Sequence, residues 1–267
     1  MNGLAGVYRQ QMKTSFAAML QYRAALVIWL ISQVLDPVIY LIVWSTVTAA
    51  SGGEVGGYTR AEFAAYFLAL MLVNNITYSW IMHEYEYRVR EGTLSAALLR
   101  PVHPIHADIA DNLSSKMIST PMMLVLAIGL GFIFRPEVRL VPWALAAFIP
   151  AVALAFVLRF LIEWTLALAA FWTTRVSALN QTYYVALLFL SGQVAPLSLF
   201  PGIVQAIGLA LPFRWMIAFP LDLLLGNLTV GETLVGFAAQ VAWIGVGLVL
   251  VRVTWRAGVR QYSAVGA

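Results

Sequence analysis

Apolar runs of membrane-spanning length recur along nearly the whole chain, and they limit the fold more than any other feature. A helix needs about 20 apolar residues to cross about 30 Å of hydrocarbon. Six such runs occur, at about Ala24–Ala49, Phe63–Met82, Met117–Phe134, Pro142–Trp172, Val176–Ala195 and Leu234–Val251. With 61% hydrophobic and only 10% charged residues, the chain has more apolar surface than one soluble core can bury. The runs are continuous rather than alternating, which predicts helices and not barrel strands. The sequence therefore predicts an all-α integral membrane protein with about six transmembrane helices.

Residues 1–23 precede the first run and have a different pattern. Leu4, Tyr8, Met12 and Phe16 recur every four residues, with polar residues on the other faces. This spacing is typical of an amphipathic helix that lies in the membrane surface. An extension of the first span is the alternative. Residues 24–267 are then expected to form a single transmembrane domain.

Prolines predict irregularities within that domain. Asp36-Pro37 is expected to interrupt the first span, with Asp36 capping the helix that restarts after it. The fourth run is longer than one crossing requires, so it must tilt, protrude or break near Pro150. Between the fifth and sixth spans, closely spaced prolines predict short helices packed at the outer surface, at Pro196, Pro201, Pro212 and Pro220.

The distribution of Lys and Arg predicts the orientation. One side would carry Arg9, Lys13, Arg23, Arg88, Arg90, Arg100, Lys116, Arg175, Arg252, Arg256 and Arg260; the other would carry only Arg60, Arg135, Arg139 and Arg214. Because basic residues favour the cytoplasmic side, both termini and the long polar stretch from His83 to Lys116 are expected to be cytoplasmic. This placement also accounts for the net charge of +4 without a nucleic-acid partner.

The sequence contains little that points to catalysis. No phosphate-binding loop of the form G-x-x-x-x-G-K-[ST] occurs, so we expect no ATP hydrolysis by this chain alone. There are no cysteines, and His83, His103 and His106 lie in the polar stretch without the adjacent carboxylate of a zinc motif. Solvated loop histidines are the simpler interpretation. We therefore predict no catalytic residue, no metal site and no cofactor in this chain.

The polar stretch contains the most informative segment. Glu84 with Arg88 and Glu86 with Arg90 are i,i+4 pairs that favour a helix leaving the membrane. Gly92 is expected to break that helix, and Thr93 to cap a short new one that ends at Pro101. Leu94 and Leu98 would share one face of this new helix. The helix suits docking of a partner protein, but a helix that rests among lipid headgroups has the same spacing.

This segment resembles a known family. The run Arg90-Glu91-Gly92-Thr93-Leu94, followed by Leu98-Leu99-Arg100-Pro101-Val102, is similar to the signature of the permease subunits of type-2 ATP-binding-cassette (ABC) exporters. Two weaker stretches agree in order and spacing. They are Ala170-Phe171-Trp172, which closes the fourth span, and the segment after the fifth span with Ser191-Gly192, Pro196-Leu197, Pro201, Pro212 and Gly226.

The resemblance implies a function for the chain. It implies an ATP-driven exporter that moves a hydrophobic or amphiphilic substrate outward between two permeases, each bound by an ATPase subunit that holds ATP and Mg. The second permease is either another copy or a related chain. The expected location is the cytoplasmic membrane of a prokaryote. The resemblance places ATPase coupling at Glu91, Gly92, Thr93, Leu94, Leu98, Leu99, Arg100 and Pro101.

The resemblance also implies a path lined by the second and fifth spans. Its polar and aromatic candidates are Asn74, Asn75, Thr77, Tyr78, Asn180, Gln181, Tyr183 and Tyr184. Hydrogen bonding between helices is the other role open to each of them. Arg159 and Glu163 lie one turn apart in the fourth span and are expected to form an intramembrane ion pair, either as a tether or with a role in substrate or proton movement.

The main alternative function is a secondary transporter or channel that works without an ATPase. Such carriers usually place several ionisable groups at mid-membrane and often contain paired repeats. This chain has only Asp36, Arg159 and Glu163 within its apolar runs and no evident repeat. The composition therefore favours the ATP-driven permease over the gradient-driven carrier.

Overall fold

The computed structural model describes residues 3–21, 23–138, 141–173 and 176–262. The helices, in chain order, are α1 (Leu4–Gln21), α2 (Arg23–Ala50), α3 (Arg60–Thr77), α4 (Ile81–Arg90), α5 (Leu94–Leu98), α6 (Ile105–Phe134), α7 (Pro142–Ala167), α8 (Val176–Leu190), α9 (Gly202–Ala210), α10 (Phe213–Met216), α11 (Ala218–Leu224) and α12 (Val230–Gln261). Short 3-10 turns cover Leu168–Phe171 and Leu197–Leu199. A small antiparallel hairpin, β1 (Glu54–Val55) and β2 (Tyr58–Thr59), connects α2 to α3.

Five segments in the described part of the chain are long and apolar enough to cross a membrane. They are Val27–Ala50, Arg60–Arg90, Ile105–Phe134, Pro142–Phe171 and Val230–Gln261. The prediction of an all-α membrane protein is therefore confirmed. The count of six is not established, because α8 has 15 residues and extends for only about 22 Å.

The expected interruption at Asp36-Pro37 is absent, and so is a break at Pro150, which was one of three alternatives for the fourth run. Helix α2 is continuous through Pro37, so the prediction that Asp36 caps a restarting helix is wrong. Helix α7 likewise continues through Pro150 and gives way to a 3-10 turn only at Leu168. A proline removes one backbone hydrogen bond, and a membrane helix tolerates this where its neighbours and local adjustments satisfy the freed carbonyl.

The polar stretch after the second run is more helical than predicted. Helix α6 begins at Ile105, about three turns before the expected start of the third span at Met117. The second run, in contrast, contains an unpredicted break between Thr77 and Ile81. Length and polarity alone do not show where a helix continues beyond the hydrocarbon, and this explains both differences.

Helix α3 lies at the centre of the subunit. It packs against α2, α6 and α7, and most of its side chains from Phe63 onward are buried. The Trp44 ring stacks on Phe63 with 5.1 Å between the centroids. Helices α7 and α12 form the other large contact, which continues onto the 3-10 turn after α7, where a Cβ on Gly258 of α12 would lie 2.2 Å from Phe171. A small residue is needed at that crossing because the helix backbone approaches the aromatic ring directly.

The two ends of the bundle have different contacts. At one end Trp44 Nε1 donates to the Val194 carbonyl at 2.9 Å, and Tyr58 OH lies 3.2 Å from Ser198 Oγ. At the other end Ser95 Oγ of α5 lies 3.0 Å from the hydroxyl of Tyr262, just beyond α12. The assignment of these ends to outside and cytoplasm stays a prediction. The charge count also includes Arg23, Arg139 and Arg175. Arg139, Arg175 and the side chain of Arg23 lie outside the described part of the chain.

Helix α1 packs along the first turns of α6. Gln11 Nε2 donates to Asp111 Oδ1 at 2.9 Å, and Tyr8 OH lies 3.0 Å from His106 Nδ1. These bonds tie the amphipathic helix to the part of α6 that precedes the apolar run. Whether α1 also lies in the membrane surface stays a prediction.

Candidate functional site

The break between α3 and α4 places polar groups inside the subunit. Tyr78 adopts extended backbone (φ −59°, ψ 141°), which ends α3. Thr77 and Ser79 are both buried. Buried hydroxyl groups need hydrogen-bond partners when no water is present. The Thr77 hydroxyl donates to the Val73 carbonyl at 2.9 Å, and both hydroxyl groups also hydrogen-bond to charged residues of α7.

Arg159 and Glu163 form the ion pair that their spacing predicts. Arg159 Nε donates to Glu163 Oε1 at 2.8 Å, and the two side chains are 2% and 0% exposed. A lone charge would be costly at this depth, so each requires compensation within the protein. The pair provides that compensation and presents its remaining donors and acceptors to α3 and α8.

These remaining groups connect three helices. Arg159 Nη1 donates to Asn74 Oδ1 at 2.8 Å and to Thr77 Oγ1 at 3.1 Å. Glu163 accepts from Ser79 Oγ and, at 3.1 Å, from Tyr183 OH. The geometry is that of a tether that fixes the break between α3 and α4 against α7 and α8. Asn74, Thr77 and Tyr183 are thus engaged in hydrogen bonds between helices, the alternative left open for the predicted path residues.

Most of the other predicted path residues also lie inside the subunit. Asn75 Oδ1 accepts from Ser119 at 3.3 Å and from Thr120 at 3.2 Å. Asn180 is buried, and neither of its amide atoms has a partner among the described residues. The hydroxyl of Tyr184 is also buried without a described partner, whereas Gln181 is exposed. Because α3 is central in this conformation, most of the predicted set lies inside the subunit, and a path along it stays a prediction.

A second charged cluster lies toward the α5 end and was not predicted. Arg88 Nη1 donates to Asp108 Oδ1 at 2.7 Å and its Nε donates to Glu84 Oε1 at 3.0 Å. Trp164 Nε1 donates to the other carboxylate oxygen of Asp108 at 3.0 Å. The cluster holds α4, α6 and α7 together. No local sequence pattern relates Asp108 to Trp164, so only the tertiary structure shows this contact.

Other charges near α4 differ from the predicted pairs. The Glu84–Arg88 pair is present, but Arg90 pairs with the neighbouring Glu91 at 3.2 Å instead of with Glu86. Thr93 does not cap α5; its hydroxyl donates to the Arg88 carbonyl at 3.4 Å. The expected cap geometry is missing because Thr93 has helical backbone angles, whereas an N-cap residue is normally extended.

Helix α5 turns sharply away from α4 and buries one of its leucines. Gly92 has φ +71°, a left-handed conformation that favours glycine and permits this turn. Leu94 is completely buried in the core and Leu98 is partly buried, so Leu94 is not available to a partner protein. Leu99 is instead 88% exposed. The predicted docking face is therefore wrong for Leu94, and the apolar group that this segment presents is Leu99.

Comparison with protein families decides the affiliation of the chain. The model of the ABC-2 family transporter proteins matches residues 34–266. The chain belongs to this family. Comparison with curated proteins and with solved structures gave no significant match. The chain is thus the permease component of an ABC-2 type transporter, and proteins of this family are membrane components without an ATPase domain.

In this ABC-2 permease the histidines pack against aromatic rings, whereas the sequence favoured solvated loop histidines. The His103 ring lies 4.4 Å from Trp255, and its Nδ1 accepts from the Ile105 amide at 3.2 Å. His83 lies 4.4 Å from Trp80. Burial, with a smaller effect from His106, lowers the pKa of His103, so its neutral form is favoured in the fold.

Proposed function

We propose that this ABC-2 permease is the membrane half of an ATP-driven exporter. Two permeases enclose the path of a hydrophobic or amphiphilic substrate, and a separate ATPase subunit binds to each from the cytoplasm. ATP and Mg are held by that subunit. The side that carries α5 and the C-terminal end of α12 is cytoplasmic, in the cytoplasmic membrane of a prokaryote.

The observation that carries the proposal is an exposed carboxylate near the middle of a candidate membrane span. Asp36 lies near the middle of the 28-residue helix α2, and its side chain is exposed. No described cation lies within ion-pair distance of it. A charge facing lipid at this depth costs about 2.5–3.5 kcal/mol on insertion scales. This cost is avoided if the Asp36 face borders a second permease and a polar path.

Neighbouring groups extend this polar face. Ser32 and Gln33 line a small cavity of about 50 Å³ together with Asp36. The same cavity reaches Leu188 of α8 and Gln193 just beyond it. We therefore assign the path to the faces of α2 and α8, together with Leu70 and Asn74 of α3, which line the same cavity. This assignment adds the first span to the expected pairing of the second and fifth spans.

ATPase coupling is assigned to the exposed residues that surround α5. Leu99 offers the apolar contact. Glu91, which precedes α5, and Arg100, which follows Leu99, are also exposed. Peptide segments of this kind bind by placing an apolar anchor in a groove of the partner. The Arg88–Asp108–Trp164 cluster fixes α4 to α6 and α7, so movement of this segment by the ATPase would be transmitted to the bundle.

Cysteine cross-linking tests the arrangement of the two permeases. The chain has no cysteines, so Asp36→Cys introduces a single thiol. We expect a covalent dimer in native membranes after mild oxidation. Val249→Cys on α12 is the matched control, because Val249 is 61% exposed but lies on a face that the proposal assigns to lipid. Cross-linking through Val249 but not through Asp36 would refute the assigned interface.

Reconstituted vesicles test the dependence on ATP. The permease and its cognate ATPase should transport only when the ATPase retains the lysine of its phosphate-binding loop. Transport by the permease alone, driven by an ion gradient, would contradict the proposal and support the secondary-transporter alternative.

A further inference from the structure

A cavity of about 560 Å³ opens beside the break between α3 and α4. Its volume is within the range of about 300–1,000 Å³ that is usual for small-ligand sites. Helices α1, α2, α4 and α6 surround it. The aromatic residues Trp29, Tyr78 and Trp80 form one part of its wall, and charged residues on α4 and α6 form another.

The length of α6 places this cavity at the edge of the hydrocarbon. The helix has 30 residues, whereas a crossing takes about 20. Counting about 20 residues back from Phe134 reaches Ser115, so Lys116 lies at the boundary between hydrocarbon and headgroups. Asp111 lies five residues earlier, about 7.5 Å farther toward the aqueous side. The cavity therefore spans the depth of a lipid headgroup.

The side-chain amino group of Lys116 has no carboxylate partner among the described residues. Its Nζ lies 6.0 Å from the Trp29 ring centroid and 5.6 Å from that of Tyr78. No described carboxylate is within ion-pair distance, and no described group accepts a hydrogen bond from the Nζ. Lys116 lines the cavity, so its Nζ can donate to a phosphate at the level where lipid phosphates occur.

Asp111 carries the complementary free charge. Its Oδ1 accepts from Gln11 and from Ser15, which are both neutral, and no cation among the described residues lies within ion-pair distance of the carboxylate. The remaining oxygen, Oδ2, has no described partner. The other lining charges are engaged with one another, since Arg88 pairs with both Glu84 and Asp108.

We propose that this cavity binds a zwitterionic phosphodiester headgroup of a membrane lipid. The phosphate oxygens accept from Lys116 Nζ, and the terminal ammonium group donates to Asp111 Oδ2. The order of the two charges matches a lipid, in which the phosphate lies nearer the hydrocarbon than the amine. A purely anionic headgroup would be repelled by Asp111, and a cationic amphiphile by Lys116. The inference goes beyond the proposed function, because this cavity shares no lining residue with the cavity assigned to the path.

Native mass spectrometry of the purified permease in detergent tests the proposal. The lipids added are phosphatidylethanolamine, phosphatidylglycerol and a cationic dialkyl trimethylammonium lipid. We expect phosphatidylethanolamine to bind best and its affinity to fall about tenfold in Lys116→Gln, through loss of a charge-assisted hydrogen bond. Asp111→Asn should shift the preference toward phosphatidylglycerol. Lys13→Gln, an exposed lysine of α1 outside the cavity, should change neither property.

Two outcomes would overturn the proposal. One is an unchanged lipid preference in Asp111→Asn together with unchanged binding in Lys116→Gln, in variants whose melting temperatures match the parent. The other is binding of soluble glycerophosphoethanolamine as tightly as the intact lipid, since the ligand would then be a water-soluble phosphodiester. The assay contains no ATPase, so either result leaves the tests of ATP-driven transport unaffected.

Discussion

Truncation of Leu99 is expected to weaken ATPase binding without weakening the fold. The side chain is 88% exposed, so Leu99→Ala should change the free energy of unfolding by no more than about 0.5 kcal/mol. If the ATPase buries this leucine, the complex loses most of the about 1.5–3 kcal/mol that burial of a leucine supplies. A loss of about 1.5–2.5 kcal/mol corresponds to about a ten- to sixtyfold increase in Kd.

Leu94 provides the matched control on the same short helix. Because it is 0% exposed, Leu94→Ala removes packing inside the permease and should cost about 2–5 kcal/mol of stability. The two leucine-to-alanine variants are thus expected to separate binding from folding.

The assay measures the Kd of the purified ATPase for the permease in detergent, with the melting temperature of each permease variant. Leu99→Ala should alter the first quantity and Leu94→Ala the second. In reconstituted vesicles Leu99→Ala should also lower transport. If Leu99→Ala binds the ATPase like the parent, the ATPase docks elsewhere and the coupling assignment to α5 fails.

Three further perturbations address stability. Glu163→Gln leaves the charge of Arg159 buried and unpaired, and should cost about 3–5 kcal/mol in thermal or denaturant unfolding. Gly258→Val forces a side chain against Phe171 and should destabilise the packing of α12 on the 3-10 turn after α7 by about 1–3 kcal/mol, measured in the same way. The pKa of His103 is lower in the fold, so the unfolded chain binds more protons. The free energy of unfolding should therefore fall as the pH drops below about 6.5. His103→Gln should reduce this dependence of stability on pH.

Controls make these stability predictions specific. Replacing both Arg159 and Glu163 with methionine should cost less than Glu163→Gln alone, because no unpaired charge remains. Gly245→Val should be tolerated, since a Cβ at Gly245 meets no atom within 4 Å. Equal losses from Gly245→Val and Gly258→Val would argue against the close approach of α12 to Phe171. A pH slope unchanged by His103→Gln would assign it to other groups.

Local patterns in the sequence determined several features of this protein. The apolar runs predicted a membrane fold, the i,i+4 spacing predicted the Arg159–Glu163 pair, and the motif around Gly92 indicated the family. Each depends on residues close together in the chain, where helix geometry alone fixes the contact. Proline was a less reliable guide, because neighbouring helices tolerate Pro37 and Pro150 in continuous helices.

Only the tertiary structure decided which faces are buried. Leu94 and Leu99 are both leucines of one short segment, yet one is buried in the core and the other is almost fully exposed. Thr77, a predicted path residue, is buried and accepts from Arg159 because α3 is central. Asp108 accepts a hydrogen bond from Trp164, which lies 56 positions away in the sequence. The physical reason is that lipid and protein core are equally apolar, so hydrophobic periodicity does not separate lipid-facing from buried surfaces. That distinction arises only when the helices pack.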